Sequence, residues 1–232
     1  MWYWVFKFVL LGPVARWYLR LRWEGRENLP RSGAFVVAPN HLTMVDPVGI
    51  SMGVPRKVIF IAKTKYYTGR SAGARALAWF LRAIGQVPVD VSGASAAEPA
   101  LVTARALLEA GGVWAIFPEG TRSPDGRLYR GRTGIMRVAL PMGVPVVPVG
   151  VRGTREVVLP GHPGWRRLRG RARVTITYGA PLDLSPWRGR EEDPAAWREA
   201  TDALMERIAA LSGQERVFRY ATPEELGRRD QG

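Results

Sequence analysis

Two short stretches of this 232-residue chain combine residue types that can move a proton and hold an anion. The first is Asn40-His41-Leu42-Thr43-Met44-Val45-Asp46-Pro47, and His41 is one of only two histidines, the other being His162. A hydroxyl that attacks a thioester must lose its proton as it bonds to carbon. Neutral imidazole, with an unperturbed pKa of about 6.5, is the side chain best matched to accept that proton near neutrality. A carboxylate bonded to the other ring nitrogen fixes the tautomer and stabilises the imidazolium that forms. On a continuous helix a spacing of five residues sets two side chains about 140° apart. Asp46-Pro47, however, has the form of a helix start, with aspartate as N-cap and proline at the first helical position. On a turn entering a helix His41 and Asp46 can converge, and no protein nucleophile is then needed, because the acceptor brings its own hydroxyl.

The second stretch is Phe117-Pro118-Glu119-Gly120-Thr121-Arg122-Ser123. Gly120 lets the backbone approach a ligand closely, and Arg122 offers a planar fork suited to phosphate. Glu119 has two readings, as a partner that holds the arginine or as an acceptor from a substrate hydroxyl. Each stretch follows an apolar run, Ala34–Pro39 and Val113–Phe117. If those runs are parallel strands, both polar turns emerge at the carboxyl edge of one sheet, where open α/β sheets bind ligands.

The elements that must position these turns follow an α/β pattern, with short apolar runs alternating with helix-like stretches. Further strands are expected at Val58–Ala62, Gln86–Val89, Val144–Val151 and Arg173–Tyr178. Several are near-continuous apolar runs, as expected of strands covered on both faces, while the last alternates and suits a position near the sheet edge. Helices are expected over Ala74–Ile84, Ala96–Ala110, Gly134–Leu140 and Pro194–Leu211; in the last, Trp197, Ala200, Leu204, Ile208 and Leu211 recur at helical spacing. The expected fold is therefore an α/β domain with a central, largely parallel sheet flanked by helices. The division is a 1–22 amino-terminal segment, a 23–212 domain and a 213–232 polar tail.

Composition narrows the partners. With 47% hydrophobic residues the chain can build a sizeable core, and with no cysteine it has no disulfide, thiolate nucleophile or thiolate zinc site. No metal or cofactor is expected. The first 182 residues carry 26 basic against 9 acidic side chains, whereas residues 183–232 carry 8 against 11. Such a field favours an anionic partner. Trp2 to Leu11 is apolar except for Lys7, and Gly12-Pro13 interrupts it; ten residues fall short of the ~20 that span a bilayer as a helix. Trp2, Tyr3, Trp4, Trp17, Tyr18 and Trp23, with arginines among them, suit a membrane–water boundary. An anionic membrane surface is the expected partner, at its cytoplasmic face; a terminal helix packed on the domain's own core is the alternative. Residues 161–173 form a Gly/Pro/Arg-rich stretch with five arginines and no acid, either a solvated connector or a contact with membrane or phosphate.

The order NHxxxxDP, FPEGTRS and then Val144-Pro145-Val146-Val147-Pro148-Val149, with Glu27-Asn28-Leu29-Pro30 ahead of the first motif, resembles the glycerolipid acyltransferase family that includes 1-acylglycerol-3-phosphate acyltransferases. The resemblance covers roughly Trp23 to Gly179. It implies His41 as general base and Asp46 as its orienting partner. It implies Glu119, Gly120, Thr121 and Arg122 in binding the glycerol phosphate, the 144–149 segment in shaping the donor side, and Lys63 near the site. The implied substrates are a lysophospholipid acceptor and an acyl thioester donor, acyl-CoA or acyl-carrier protein. One departure stands out: where many relatives have an arginine after the strand equivalent to Val87–Asp90, this chain has Val91, and Arg130 or Arg132 is a candidate to replace it.

Two rival readings remain. Gly69-Arg70-Ser71-Ala72-Gly73 matches the G-x-S-x-G pattern of a serine thioesterase or lipase, with His162 downstream, although that elbow requires a strand running straight into the serine. A non-catalytic basic lipid-binding protein is the other. Nucleic acid is not an expected partner, since no zinc-ligand spacing or aromatic RNP pattern is present.

Overall fold

The near-continuous apolar runs of the sequence become the centre of a seven-stranded sheet. The structure is a computed structural model that describes residues 2–64, 67–69, 71–89, 98–157, 173–222 and 224–225. The strands are β1 (Arg22–Glu24), β2 (Phe35–Pro39), β3 (Val58–Lys63), β4 (Val87–Val89), β5 (Val113–Ala115), β6 (Val146–Arg152) and β7 (Thr175–Tyr178). Their spatial order is β1-β7-β6-β2-β5-β3-β4. All pairs are parallel except β6 with β7. Parallel neighbours need crossovers, and helices α3 (Asp46–Gly53), α4 (Ala72–Ala83), α5 (Glu98–Glu109) and α6 (Met136–Met142) provide them, with α7 (Pro194–Ser212) following β7.

The expected largely parallel sheet is therefore present, and the period-2 alternation of its side chains divides the core. Val36 and Ala38 of β2, with Trp114 and Val146, pack against Leu101 and Leu108 of α5, Leu140 of α6 and Leu204 and Ile208 of α7. Phe35 and Val37, with Val113 and Val149, face Ile50 of α3 and Leu19 on the other side. In α7 the amino end is set by Asp193, whose carboxylate accepts the Ala195 N–H at 2.9 Å, with Pro194 next.

Three elements differ from the sequence expectation. β1 is only Arg-Trp-Glu, too short and too charged to register as a strand, yet it pairs in parallel with β7 through Arg22↔Thr175 and Glu24↔Thr177. β7 is consequently second from the edge. The run Val113–Phe117 leaves the ladder after Ala115, because Phe117 is diverted to the site described below. Asp46 is not an N-cap but the first residue of α3, and its carboxylate is turned back into the preceding turn.

The amino-terminal segment forms α1 (Trp2–Val5), a π-helical turn at Phe6–Leu10 and α2 (Leu11–Leu19). Pro13 has no N–H to offer the preceding turn, which accounts for the widened turn ahead of it. Gly12 is obligatory there, since an added Cβ would lie 1.7 Å from the Lys7 carbonyl oxygen. One side packs on the domain: the Tyr3 hydroxyl accepts the Val58 N–H at 3.1 Å, and Lys7 is buried with its ammonium donating to the Val54 carbonyl at the end of α3. Burial lowers the Lys7 pKa to about 8. The other side exposes Trp2, Trp4, Phe8, Val9, Leu10, Val14 and Trp17, the last at 69%. Among the described residues no helix is long and apolar enough to cross a membrane.

Candidate active site

Because β2 and β5 are parallel and adjacent, in the register Phe35↔Val113 to Val37↔Ala115, the chain leaves both at the same edge of the sheet. Asn40 anchors the first turn. Its side chain is fully buried and imitates a strand residue: Oδ1 accepts the Val151 N–H at 2.7 Å and Nδ2 donates to the Val151 carbonyl at 3.0 Å. This prolongs the β2–β6 pairing by one residue and fixes where His41 emerges.

The His41 ring meets the Asp46 carboxylate, with Nδ1 2.8 Å from Oδ2. The same oxygen accepts the backbone N–H of Leu42 at 2.6 Å and of Thr43 at 2.8 Å, and Oδ1 accepts the Thr43 hydroxyl at 3.1 Å. Asp46 is 0% exposed, so these donors replace the water that its charge has lost. A carboxylate oxygen only accepts, so His41 Nδ1 carries the proton of this bond. The ring is held flat against Phe117, with centroids 3.7 Å apart and planes 14° apart, and Phe60 lies beyond Phe117 at 5.4 Å.

The second turn is fastened to the first. The Ser123 N–H donates to the His41 carbonyl at 2.8 Å. Glu119 is 4% exposed, and its carboxylate bridges two backbones: Oε1 accepts the His41 N–H at 3.1 Å and Oε2 the Tyr129 N–H at 3.0 Å. Burial pushes the Glu119 carboxyl up to about 8; the two N–H donors pull it down, and Asp46 and Asp125 push it further up. Of the two sequence readings of Glu119, arginine partner or acceptor from substrate, the described contacts display neither: both oxygens serve the protein's own backbone.

Gly120 has φ +73°, a conformation glycine adopts without penalty, and the Arg132 side chain crosses it so closely that an added Cβ would lie 3.0 Å from Arg132 Cδ. The Arg132 N–H donates to the Pro118 carbonyl at 2.7 Å. Thr121 and Arg122 are partly buried in the same turn, immediately before Ser123.

The structure thus gathers His41, Asp46, Glu119, Gly120, Thr121 and Arg122 at one sheet edge. Lys63 is the last residue of β3 and leaves from that edge; its side chain lies outside the described residues. So do Val91, His162 and all but the end of the 161–173 stretch. Ser71 is elsewhere: β3 ends eight residues before it, and its hydroxyl caps α4 by accepting the Ala74 N–H at 3.1 Å. That is a helix cap and not a strand-to-helix elbow. Asn40, Thr43, Phe117 and Tyr129 carry no role in the sequence reading, although three of the four stand inside or beside its motifs. Among the described residues no group of three or more His, Cys, Asp or Glu could hold a metal ion.

A family model described as Acyltransferase matches residues 20–152. The chain is 34% identical over 166 residues to the chloroplastic 1-acyl-sn-glycerol-3-phosphate acyltransferase of Brassica napus, covering 69% of this chain and 46% of that one. It is 28% identical over 194 residues to the 1-acyl-sn-glycerol-3-phosphate acyltransferase of Bacillus subtilis, covering 82% and 86%. The chain spans about half the length of the plant relatives it matches. The fold is similar to the crystal structure of the 1-acyl-sn-glycerophosphate acyltransferase PlsC from Thermotoga maritima, with TM-score 0.59, 23% identity, and coverage of 88% of this chain and 80% of that one.

Proposed function

Because the chain belongs to the acyltransferase family, whose model spans more than half of it, we propose that it moves a fatty acyl group from a thioester to the hydroxyl of 1-acylglycerol 3-phosphate or a related lysophospholipid, in phospholipid biosynthesis. The donor is acyl-CoA or acyl-carrier protein. The observation that carries this reading is the 2.8 Å His41–Asp46 pair at the carboxyl edge of the sheet, beside the turn that contains Arg122.

His41 Nε2 takes the proton of the acceptor hydroxyl as its oxygen attacks the thioester carbonyl. The tetrahedral intermediate collapses by breaking the carbon–sulfur bond, and the imidazolium returns the proton to the leaving thiolate. Asp46 holds the ring and stabilises its charged form. Arg122, with the Gly120-Thr121 backbone and Lys63, meets the acceptor phosphate. Glu119 acts through the backbone of His41. The exposed aromatic side of the amino-terminal helices rests on an anionic membrane surface, where acceptor and product both reside.

The test is incubation of the protein with acyl-CoA or acyl-carrier protein and a panel of lysophospholipids, with products identified by mass spectrometry. His41→Ala is expected to lose about 10²–10⁴-fold in turnover while its thermal transition is preserved. A variant that keeps more than about a tenth of the rate rules out the general-base role.

A further inference from the structure

Beyond α7 the chain turns back and lies along the loop that follows the second turn. Gln214 joins the first motif to the loop after the second: its Oε1 accepts from Asn40 Nδ2 at 2.7 Å, and its Nε2 donates to the Gly126 carbonyl at 2.6 Å. Backbone bonds then run in ladder fashion. The Leu128 N–H donates to Glu215 at 2.8 Å, the Val217 N–H to Leu128 at 2.8 Å and the Arg130 N–H to Arg219 at 3.0 Å. The stretch set apart in the sequence as a polar tail is, in its first part, a strap tied to the first turn and to the loop that follows the second.

The strap ends by placing the Tyr220 ring against two arginines. The guanidinium carbon of Arg132 lies 5.2 Å from the ring centroid and that of Arg130 lies 5.8 Å from it. The ring is itself positioned from α7: Arg198 donates to the Tyr220 hydroxyl at 3.4 Å and to the Gly131 carbonyl at 2.8 Å, while Asp202 holds Arg198 through two bonds of 2.9 and 2.7 Å.

Charge is unevenly compensated in this cluster. Glu206 pairs with Arg216 at 3.4 Å and Glu225 with Arg219 at 2.8 Å. Asp202 is committed to Arg198 and reaches Arg130 only at 4.0 Å. Arg132 pairs with no carboxylate among the described residues, and it is exposed. Both guanidinium carbons lie within the range of a cation–π contact with the ring. An exposed guanidinium with no carboxylate partner offers a planar fork of N–H donors to the oxygens of a phosphate. The Arg132 stem crosses Gly120, which places this fork beside the turn that carries Arg122.

We propose that Arg132 and Arg130, carried on the Tyr220 ring, form a phosphate-binding subsite next to the catalytic turns, completed by a segment outside the matched 20–152 region. The ligand chemistry is a phosphomonoester. It has two possible sources, the headgroup of the acceptor or the ribose phosphate of a CoA donor. The assignment of a source rests on the acyl-transfer reading; the anion subsite does not.

Two measurements keep those apart. In the first, the thermal transition of the full chain is followed with sn-glycerol 3-phosphate, a soluble phosphomonoester, and no acyl donor. Ligand that binds only the folded protein raises the transition temperature. The wild type is expected to shift upward, Arg132→Gln to keep only the smaller part contributed by the Arg122 turn, Tyr220→Ala to fall in the same direction and Tyr220→Phe to keep most of the wild-type shift. In the second, initial rates are measured with each substrate varied in turn. An acceptor source predicts that Arg132→Gln raises the KM for lysophosphatidic acid about tenfold or more, with kcat within about threefold and the donor KM unchanged. A donor source predicts instead a raised KM for acyl-CoA but not for an acyl-pantetheine thioester, which lacks the phosphates. No shift in the wild type, or an equal shift in wild type and Arg132→Gln, overturns the subsite. Absence of acyl transfer together with a wild-type shift that falls in Arg132→Gln overturns the proposed function and leaves the subsite standing. Tyr220→Ala guards against a folding defect at Arg132, since Tyr220 lies at the end of the strap and is 42% exposed.

Discussion

Replacing Asp46 by asparagine separates two roles of that carboxylate, holding the ring and carrying charge. In serine-protease triads the same change costs about 10⁴-fold, because the amide nitrogen can face the imidazole and select the wrong tautomer. Here Oδ2 also accepts the Leu42 and Thr43 N–H groups at 2.6 and 2.8 Å. An amide nitrogen in that position would face two backbone donors as well as the ring. The asparagine is therefore held with its oxygen toward His41 and its NH2 toward the Thr43 hydroxyl, which can turn and accept. Only charge is lost. A charge-assisted hydrogen bond contributes about 1.5–3 kcal/mol against about 0.5–1.5 for a neutral one, so the imidazolium formed during transfer loses about 1–2 kcal/mol of support. That predicts a turnover loss of about 5–30-fold for Asp46→Asn. Asp46→Ala strands the Leu42 and Thr43 donors, each costing about 1–3 kcal/mol, and frees the ring, so at least another tenfold is expected together with a lowered thermal transition. The assay is product formation by mass spectrometry at saturating donor and acceptor, with the transition measured in parallel. If Asp46→Asn is as inactive as Asp46→Ala, the amide clamp does not control the tautomer and the reasoning fails.

Two further outcomes follow from burial. Glu119 holds its proton up to about pH 8 in the fold but only to the ordinary carboxylate range when unfolded, so between about pH 4.5 and 8 folding takes up a proton and stability falls as pH rises. Glu119→Gln cannot titrate; its transition temperature is expected to be lower throughout, because its NH2 must face one backbone N–H, but the wild-type advantage should shrink from pH 5 to pH 8, at about 2–4 °C per kcal/mol for this chain length, and a constant difference would contradict a raised Glu119. At the amino terminus, Phe8→Ser with Trp17→Ser removes two exposed apolar side chains, each contributing about 1.5–3 kcal/mol when fully buried; sedimentation with phosphatidylglycerol vesicles should weaken at least tenfold while the thermal transition stays put, and unchanged binding would place the membrane contact elsewhere.

The sheet and the meeting of His41 with Asp46 were legible because their signals are local and strong. β2 is apolar throughout and β6 is apolar up to Arg152, which only strands covered on both faces require, and His41 and Asp46 are five residues apart in one turn. What escaped notice depends on distant partners. β1 is three residues long and is a strand only because β7 lies beside it. Glu119 in Phe-Pro-Glu-Gly-Thr-Arg reads as a solvent-facing ligand residue, since nothing nearby announces that the Tyr129 N–H will close over it. Lys7 was an isolated charge in an apolar run; its role as a donor to the end of α3 exists only once α1 and α2 have docked. Gln214 and Tyr220 sit after a helix that ends the obvious domain, and their contacts lie 88 to 174 residues away for Gln214.

Every donor to the Asp46 carboxylate comes from within five residues of it. The His41–Asp46 pair is thus nearly autonomous, a cassette whose internal wiring travels with the seven residues from Asn40 to Asp46. Its aim does not travel. The Asn40 ladder mimicry, the Glu119 brace on the His41 amide and the Phe117 backing plate all belong to the host sheet. Transplanting the cassette to another parallel α/β scaffold would reproduce a correctly protonated imidazole and leave its direction to chance.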